Sequence, residues 1–231
     1  MKEAYEALAK NPANYVPLTP ISFLQRTAEI YGEREAIIYG TRRYSWRQCY
    51  ERCLRMASSL TELGIGKGDT VAVLAFNTPE MFEAHFFVPM TGAVLNTINT
   101  RLDAETLAYI LDFGEAKVLI VDRELLPLAQ KALQQTKQKP LLILIDDETA
   151  LQKPDVELDV KHYEELIISG DPEFSCPPLA DEWQALSLNY TSGTTGKPKG
   201  VQIPHRTFVN LIAFMQDDAG IICKDHKVLQ F

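Results

Sequence analysis

Cysteine is scarce in this 231-residue chain: there are four, Cys49 and Cys53 four apart, Cys176 and Cys223 alone. No CxxC pair and no Cys/His spacing occurs, which excludes a zinc site or a disulfide framework and leaves reduced thiols packed as small hydrophobes. Long apolar runs are missing too. Nowhere do about 18 apolar residues follow one another, and the N-terminal MKEAYEALAKNPANYVPL lacks the roughly 7 to 15 residue apolar core of a signal peptide. The expectation is a soluble intracellular protein. A basic stripe is absent as well: 23 Lys and Arg against 31 Asp and Glu leave a net charge of −8, spread in short mixed runs. Nothing there could track a nucleic-acid backbone, so nucleic acid is excluded as a partner. Internal repeats and low-complexity segments are also lacking.

What is present is an ordinary globular composition, 46% hydrophobic and 23% charged, enough for one large or two small domains. After an N-terminal arm, residues 1–20, a helix is expected over residues 21 to 31. EAIIYGTRRYSW then reads as two short strands about a turn at Gly40 to Arg42. In the following segment Trp46, Cys49, Tyr50, Cys53, Leu54, Ala57, Leu60 and Leu63 recur at three and four, placing both cysteines on the buried face of a helix that ends at Gly64.

From there the pattern alternates. IGKGDTVAVLAF gives a short continuous apolar run typical of a strand covered on both faces, and Thr78 with Pro79 offers an N-cap and first-turn proline for a helix through Met90. Ala93 to Ile98 is a strand, Asp103 caps a helix through Phe113, Lys117 to Val121 is a strand, residues 123 to 137 are helical, and LLILID is a strand. Such alternation implies parallel βαβ units and an α/β class with helices on both sheet faces. Asp146 to Asp181 is looser, with PDVELD, a short helix around Tyr163 to Ile168 and DPEFSCPP, and forms the expected linker. Residues 21–180 are therefore assigned to a first α/β subdomain and residues 181–231 to the start of a second. EWQALSLNY is a strand, and VQIPHRTFVNLIAFMQ is a strand end, a turn at Pro204 and a helix.

Between those last two stretches lies NYTSGTTGKPKG. Gly193, Gly196 and Gly200 allow positive φ and close backbone approach, successive amides can form an anion-binding concavity, Thr191, Ser192, Thr194 and Thr195 add hydroxyls, and Lys197 and Lys199 add charge. Every part suits a polyphosphate. It is not a Walker loop, which needs a longer interval between its glycines and a Ser or Thr directly after its lysine; here only Thr194 and Thr195 separate Gly193 from Gly196, and Pro198 follows Lys197. A dinucleotide loop fails because no GxG is present. The alternative is a glycine-rich turn between two strands without a ligand.

YTSGTTGKPKG resembles the phosphate-loop signature of the acyl-adenylate-forming (AMP-binding) superfamily, which includes acyl-CoA synthetases, adenylation domains of peptide synthetases and firefly luciferase. The stretch from RYSWRQCY to ETLAYIL resembles the N-terminal region of that family, and GAVLNTINTRL and DEWQALSLNYTSGTTG resemble its acyl-activating enzymes. The resemblance covers nearly all of residues 15 to 212. It implies the N-terminal part of the acetyl-CoA synthetase-like fold. The implied activity is an acid–CoA ligase for a short- or medium-chain fatty or an aromatic carboxylic acid, which forms acyl-AMP from ATP and passes the acyl group to coenzyme A. It further implies that Thr191 can ligate the Mg²⁺ on ATP, that Ser192, Gly193, Thr194, Thr195 and Gly196 wrap the β and γ phosphates, and that Lys199 of the PKG triplet outweighs Lys197, which falls at a variable position.

His205, in PHR, is expected either to position the loop indirectly or to be a satisfied helix-start histidine, and His85 to be packed and hydrogen-bonded rather than catalytic. The family's adenine and ribose contacts and its catalytic lysine lie in segments that find no match before Phe231. The expectation is therefore a chain inactive alone, with its tail strand HKVLQF left unpaired and prone to self-association. The alternatives are a non-catalytic nucleotide-binding or regulatory module, or an adenylating enzyme with an acceptor other than CoA. A cytoplasmic location is expected, or a peroxisomal one where a C-terminal signal exists.

Overall fold

The computed structural model describes residues 10–11, 13–152, 154, 160–191 and 197–219. Helix α1 (Ile21–Tyr31) precedes a hairpin of β1 (Glu35–Tyr39) and β2 (Arg42–Ser45). Gly40 takes φ of 54° at the hairpin turn, where other residues would be strained. Ser45 ends β2 and starts α2 (Trp46–Glu62) through a capping box: Gln48 N–H donates to Ser45 Oγ at 3.3 Å and Ser45 N–H donates to Gln48 Oε1 at 2.8 Å.

Then come β3 (Thr70–Leu74), α3 (Pro79–Met90), β4 (Val94–Thr97), α4 (Ala104–Phe113), β5 (Ala116–Asp122), α5 (Leu126–Leu133), β6 (Leu141–Ile145), β7 (Lys161–His162), α6 (Tyr163–Ser169), β8 (Ala185–Thr191), β9 (Lys199–Pro204) and α7 (His205–Ala219). Thr78 caps α3 and Asp103 caps α4, each accepting from a backbone N–H three residues on, as expected.

The sheet order is β7-β6-β5-β3-β4-β8-β9, parallel except for β9, which runs antiparallel to β8. The α/β class with a parallel sheet is thus observed. Alternate strand residues face two cores. Val71, Val73, Leu95, Val118 and Ile120 pack toward α2, α3 and α6 with Cys49, Cys53, Phe87 and Tyr163. Ala72, Leu74, Leu119 and Val121 pack toward α4 and α5. Double coverage is why all five residues of β3 are buried and why its sequence reads as an unbroken apolar run.

Cys49 and Cys53 are fully buried free thiols and Cys176 is a half-buried one. Cys223 and the HKVLQF strand lie outside the described residues, as does most of PDVELD. The helix expected over 123 to 137 is shorter: a 3-10 turn (Arg123–Leu125) leads into α5, and Asp112 Oδ1 accepts from Lys137 and Gln138 N–H beyond its end. The boundary expected at residue 180 falls on a loop, and β8, the strand after it, joins the same sheet beside β4.

Helices α2, α3 and α6 are stitched by one ion network, buried at Glu83 and Tyr163 and open to solvent at Glu164. Arg52 Nε donates to Glu83 Oε1 at 2.5 Å and Arg52 Nη2 to Glu164 Oε1 at 2.6 Å, while the Tyr163 hydroxyl donates to Glu83 Oε2 at 2.8 Å. Burial pushes the Glu83 carboxyl up to about 7, against the pull of Arg52 and Tyr163.

Candidate functional site

At the free side of the sheet, β8 and β9 form a hairpin whose connection, residues 192–198, contains the glycine-rich motif. Thr191 pairs with Lys199 directly across the antiparallel ladder, and Tyr190 with Gly200. Partners directly opposite share a face of the sheet, so the Thr191 hydroxyl and the Lys199 ammonium flank the loop on one side. Both residues are exposed. Ser192, Gly193, Thr194, Thr195 and Gly196 lie outside the described residues.

Tyr190 and Leu188 point the other way, onto the α4 side of the sheet. The Tyr190 ring meets Phe113 edge-on, with centroids 6.4 Å apart, and burial pushes its hydroxyl up to about 12, so it keeps its proton. Gly200 does not take positive φ, contrary to expectation. A Cβ there would lie 3.1 Å from Leu188 Cδ1 and 3.5 Å from Tyr190 Cε1, so this glycine makes room for the cross-strand tyrosine instead. Lys197 is drawn to the α4 side as well, its Nζ 4.9 Å from the centre of the Tyr109 ring. The two lysines therefore have different surroundings, and Lys199 is the one on the Thr191 face.

His205 begins α7 and is 2% exposed. Its ring Nδ1 is hydrogen-bonded to Thr19 Oγ1 at 2.9 Å, its backbone N–H donates to Gln184 O at 3.2 Å, and burial pushes the imidazole down to about 4. The neutral ring thus fastens the N-terminal arm to the start of α7, directly after the hairpin. Glu182 adds to this, accepting from Leu18 N–H at 2.9 Å and pairing with Arg206. Of the two readings of His205, the contacts made by its ring are those of a satisfied helix-start histidine; its arm and hairpin contacts left no periodic signal in the sequence. His85 is exposed rather than packed, its Nδ1 hydrogen-bonded to Met81 O at 2.8 Å, because it faces outward from α3.

A second polar concentration lies where the sheet's connections diverge. The chain leaves β3 toward β4 and leaves β5 toward β6, on opposite sides, the kind of crevice in which α/β sheets often bind ligands. Here the β1–β2 hairpin covers those strand ends: Arg42 Nη1 donates to Glu80 Oε1 at 2.6 Å and the Tyr39 hydroxyl donates to Asp147 Oδ2 at 2.5 Å. Beneath it Asp122 is buried and raised to about 6.

Two open depressions are lined by other residues: one of about 280 Å³ by Tyr109, Asp112, Phe113, Lys137 and Gln138, and one of about 520 Å³ between α2 and the Pro172 to Phe174 loop. Neither includes Thr191 or Lys199. Among the described residues no cluster of three or more His, Cys, Asp or Glu could hold a metal. Beside the loop, the exposed Thr191 hydroxyl is a single oxygen that could join a metal already held by phosphate oxygens. No helix among the described residues is long and apolar enough to cross a membrane.

Comparison with known proteins places this geometry in context. The family described as AMP-binding enzyme matches residues 24–231. A peroxisomal acetate/butyrate–CoA ligase of Arabidopsis thaliana is 47% identical over 214 residues, covering 86% of this chain and 37% of its own length. A peroxisomal trans-cinnamate:CoA ligase of Petunia hybrida is 49% identical over 218 residues, covering 87% and 38%. Among solved structures, a long-chain-fatty-acid–CoA ligase of Archaeoglobus fulgidus superposes with a TM-score of 0.76 at 23% identity, covering 92% of this chain and 42% of that one. An anthranilate CoA ligase in complex with anthranoyl-AMP gives 0.75 at 24%, covering 86% and 37%. The chain thus spans less than two fifths of the length of the curated relatives named here.

Proposed function

Because this chain belongs to the AMP-binding enzyme family, which the match over residues 24–231 establishes, we propose that it supplies the triphosphate grip of an acid–CoA ligase. The acid is a small aliphatic or aryl carboxylic acid, in keeping with relatives named for acetate, butyrate and trans-cinnamate. The observation that carries the reading is the hairpin: Thr191 and Lys199 stand opposite each other at the two ends of a hydroxyl- and glycine-rich connection.

The chemistry asks for such a grip. In the first half-reaction a carboxylate oxygen attacks the α-phosphorus of ATP, and the bond to the bridging oxygen breaks with its electron pair leaving on pyrophosphate. Carboxylate and triphosphate repel each other, so the barrier falls when fixed donors face the oxygens on which charge grows. Loop amides and hydroxyls of residues 192–196 would supply such donors, and Lys199 a positive charge. When bound, Mg²⁺ supplies further neutralisation of the phosphates, with Thr191 as its ligand from this chain. In the second half-reaction the thiol of CoA displaces AMP, and pyrophosphate has already gone. The word peroxisomal in the relatives' names supports the same compartment for the extended protein, with the cytoplasm as the alternative.

The test is formation of an acyl-CoA from ATP, CoA and acetate, butyrate or cinnamate by the protein extended to the length of its relatives. Thioester formation with release of AMP and pyrophosphate is expected. Release of ADP, or activation of the acid without transfer to CoA, would contradict the reading.

A further inference from the structure

We infer that the aromatic pair Tyr109 and Phe113 on α4 is the seat that positions the phosphate loop, and that Lys197 is a tether to this seat rather than a ligand of the phosphates. The inference rests on the phosphate-loop reading above. Both ends of the loop reach α4. Before the loop, Tyr190 packs edge-on against Phe113 at 6.4 Å with planes at 80°. After it, the Lys197 ammonium lies 4.9 Å from the Tyr109 centroid. Between these contacts Tyr109 stacks on Phe113 at 5.6 Å and 29°. Four residues thus form a continuous ladder, from the residue preceding Thr191 to the first residue after the loop's second glycine.

Helix geometry explains the seat. Tyr109 and Phe113 are four apart on α4, so their side chains lie one above the other on a single face. Phe113 is 62% exposed, which a core contact would not leave. Small residues accommodate Tyr190: a Cβ on Gly114 would sit 3.3 Å from its hydroxyl and one on Gly200 3.5 Å from its ring. The two lysines part because Lys199 lies within β9 whereas Lys197 precedes the strand and is free of its alternation. Thr191 and Lys199 pair on the face opposite to Tyr190, while Lys197 is held on the Tyr190 side, over an aromatic quadrupole that attracts its charge. Holding both flanks on one helix fixes where the loop begins and ends, which lowers the ordering cost of binding.

The extended protein separates tether from ligand. Lys197→Met and Tyr109→Leu are each expected to raise the KM for ATP in adenylation about two- to five-fold, the range an exposed cation–π contact supports. The double variant should be no worse than either single one, Tyr109→Phe should behave as the parent, and thioester formation from preformed acyl adenylate should be unchanged. A Lys197→Met effect of the same size with Leu at 109 makes Lys197 a direct phosphate ligand and overturns the inference, as does no effect of either single variant. Lys199→Ala serves as the separate control: if it leaves adenylation intact, the phosphate-loop reading itself has failed. A ligand-free readout then remains, since Pro198 shields the bond after Lys197 and trypsin reports the bond after Lys199. Cleavage there should quicken in Tyr109→Leu but not in Tyr109→Phe; equal rates in both overturn the tether.

Discussion

The sheet has two unlike regions. From β6 to β4 the strands are covered on both faces and every residue of β3 is buried, whereas β9 shows Lys199, Gly200, Val201 and Gln202 to solvent and β8 is only partly covered. The sealed region holds the apolar contacts and the Arg52 network, and the open region holds the motif. The difference teaches that the strands flanking the motif are joined by their own antiparallel ladder but gain little burial from it. What covers them in part comes from elsewhere: α4 meets Tyr190 and Lys197, and the N-terminal arm meets His205 and Glu182.

Substitution on the two sides should break this comparison first. Arg52→Ala leaves the fully buried Glu83 without its cationic partner and should cost about 3–5 kcal/mol of unfolding free energy in a denaturant titration. Val201→Ala on the exposed strand should stay within about 0.5 kcal/mol. Equal losses would mean that the hairpin belongs to the same cooperative core.

Acid should then sharpen it. The His205 ring titrates at about 4 when folded and near about 6.5 when unfolded. Between those values the unfolded chain binds the extra proton, so the stabilisation is complete above about 6.5 and is lost as pH falls toward 4. Glu83, raised to about 7, has the opposite sign in the sealed half, so the readout must be local. Hydrogen exchange, corrected for its intrinsic pH dependence, should show the β8–β9 and arm amides losing protection between pH 6.5 and 4, while β3 and β5 keep theirs. Uniform loss across both regions would contradict the division.

The sealed region was the legible one. Continuous apolar strands and side-chain caps at Ser45, Thr78 and Asp103 leave signals in neighbouring residues, so most elements there fell within a residue or two of expectation. The open region was legible as a motif but not in its supports. The motif put Thr191 and Lys199 near each other in sequence, yet it could not say that Gly200 clears space for Leu188 and Tyr190 across the ladder, or that Lys197 turns to the α4 side, which depends on a helix some eighty residues earlier. A signal did exist: Tyr109 and Phe113 form an i, i+4 aromatic pair on a helix whose other apolar residues already fill the core. The Thr19–His205 contact joins residues far apart in the chain and left no such trace.

The central claim, that the β8–β9 hairpin grips the triphosphate, is tested most directly by Lys199→Ala in the extended protein, with the two half-reactions measured separately. The expected result is a loss in adenylation on the order of a hundred-fold, the scale for removing one preorganised charge-stabilising group, with thioester formation from preformed acyl adenylate unchanged. Equal losses in both half-reactions would contradict it.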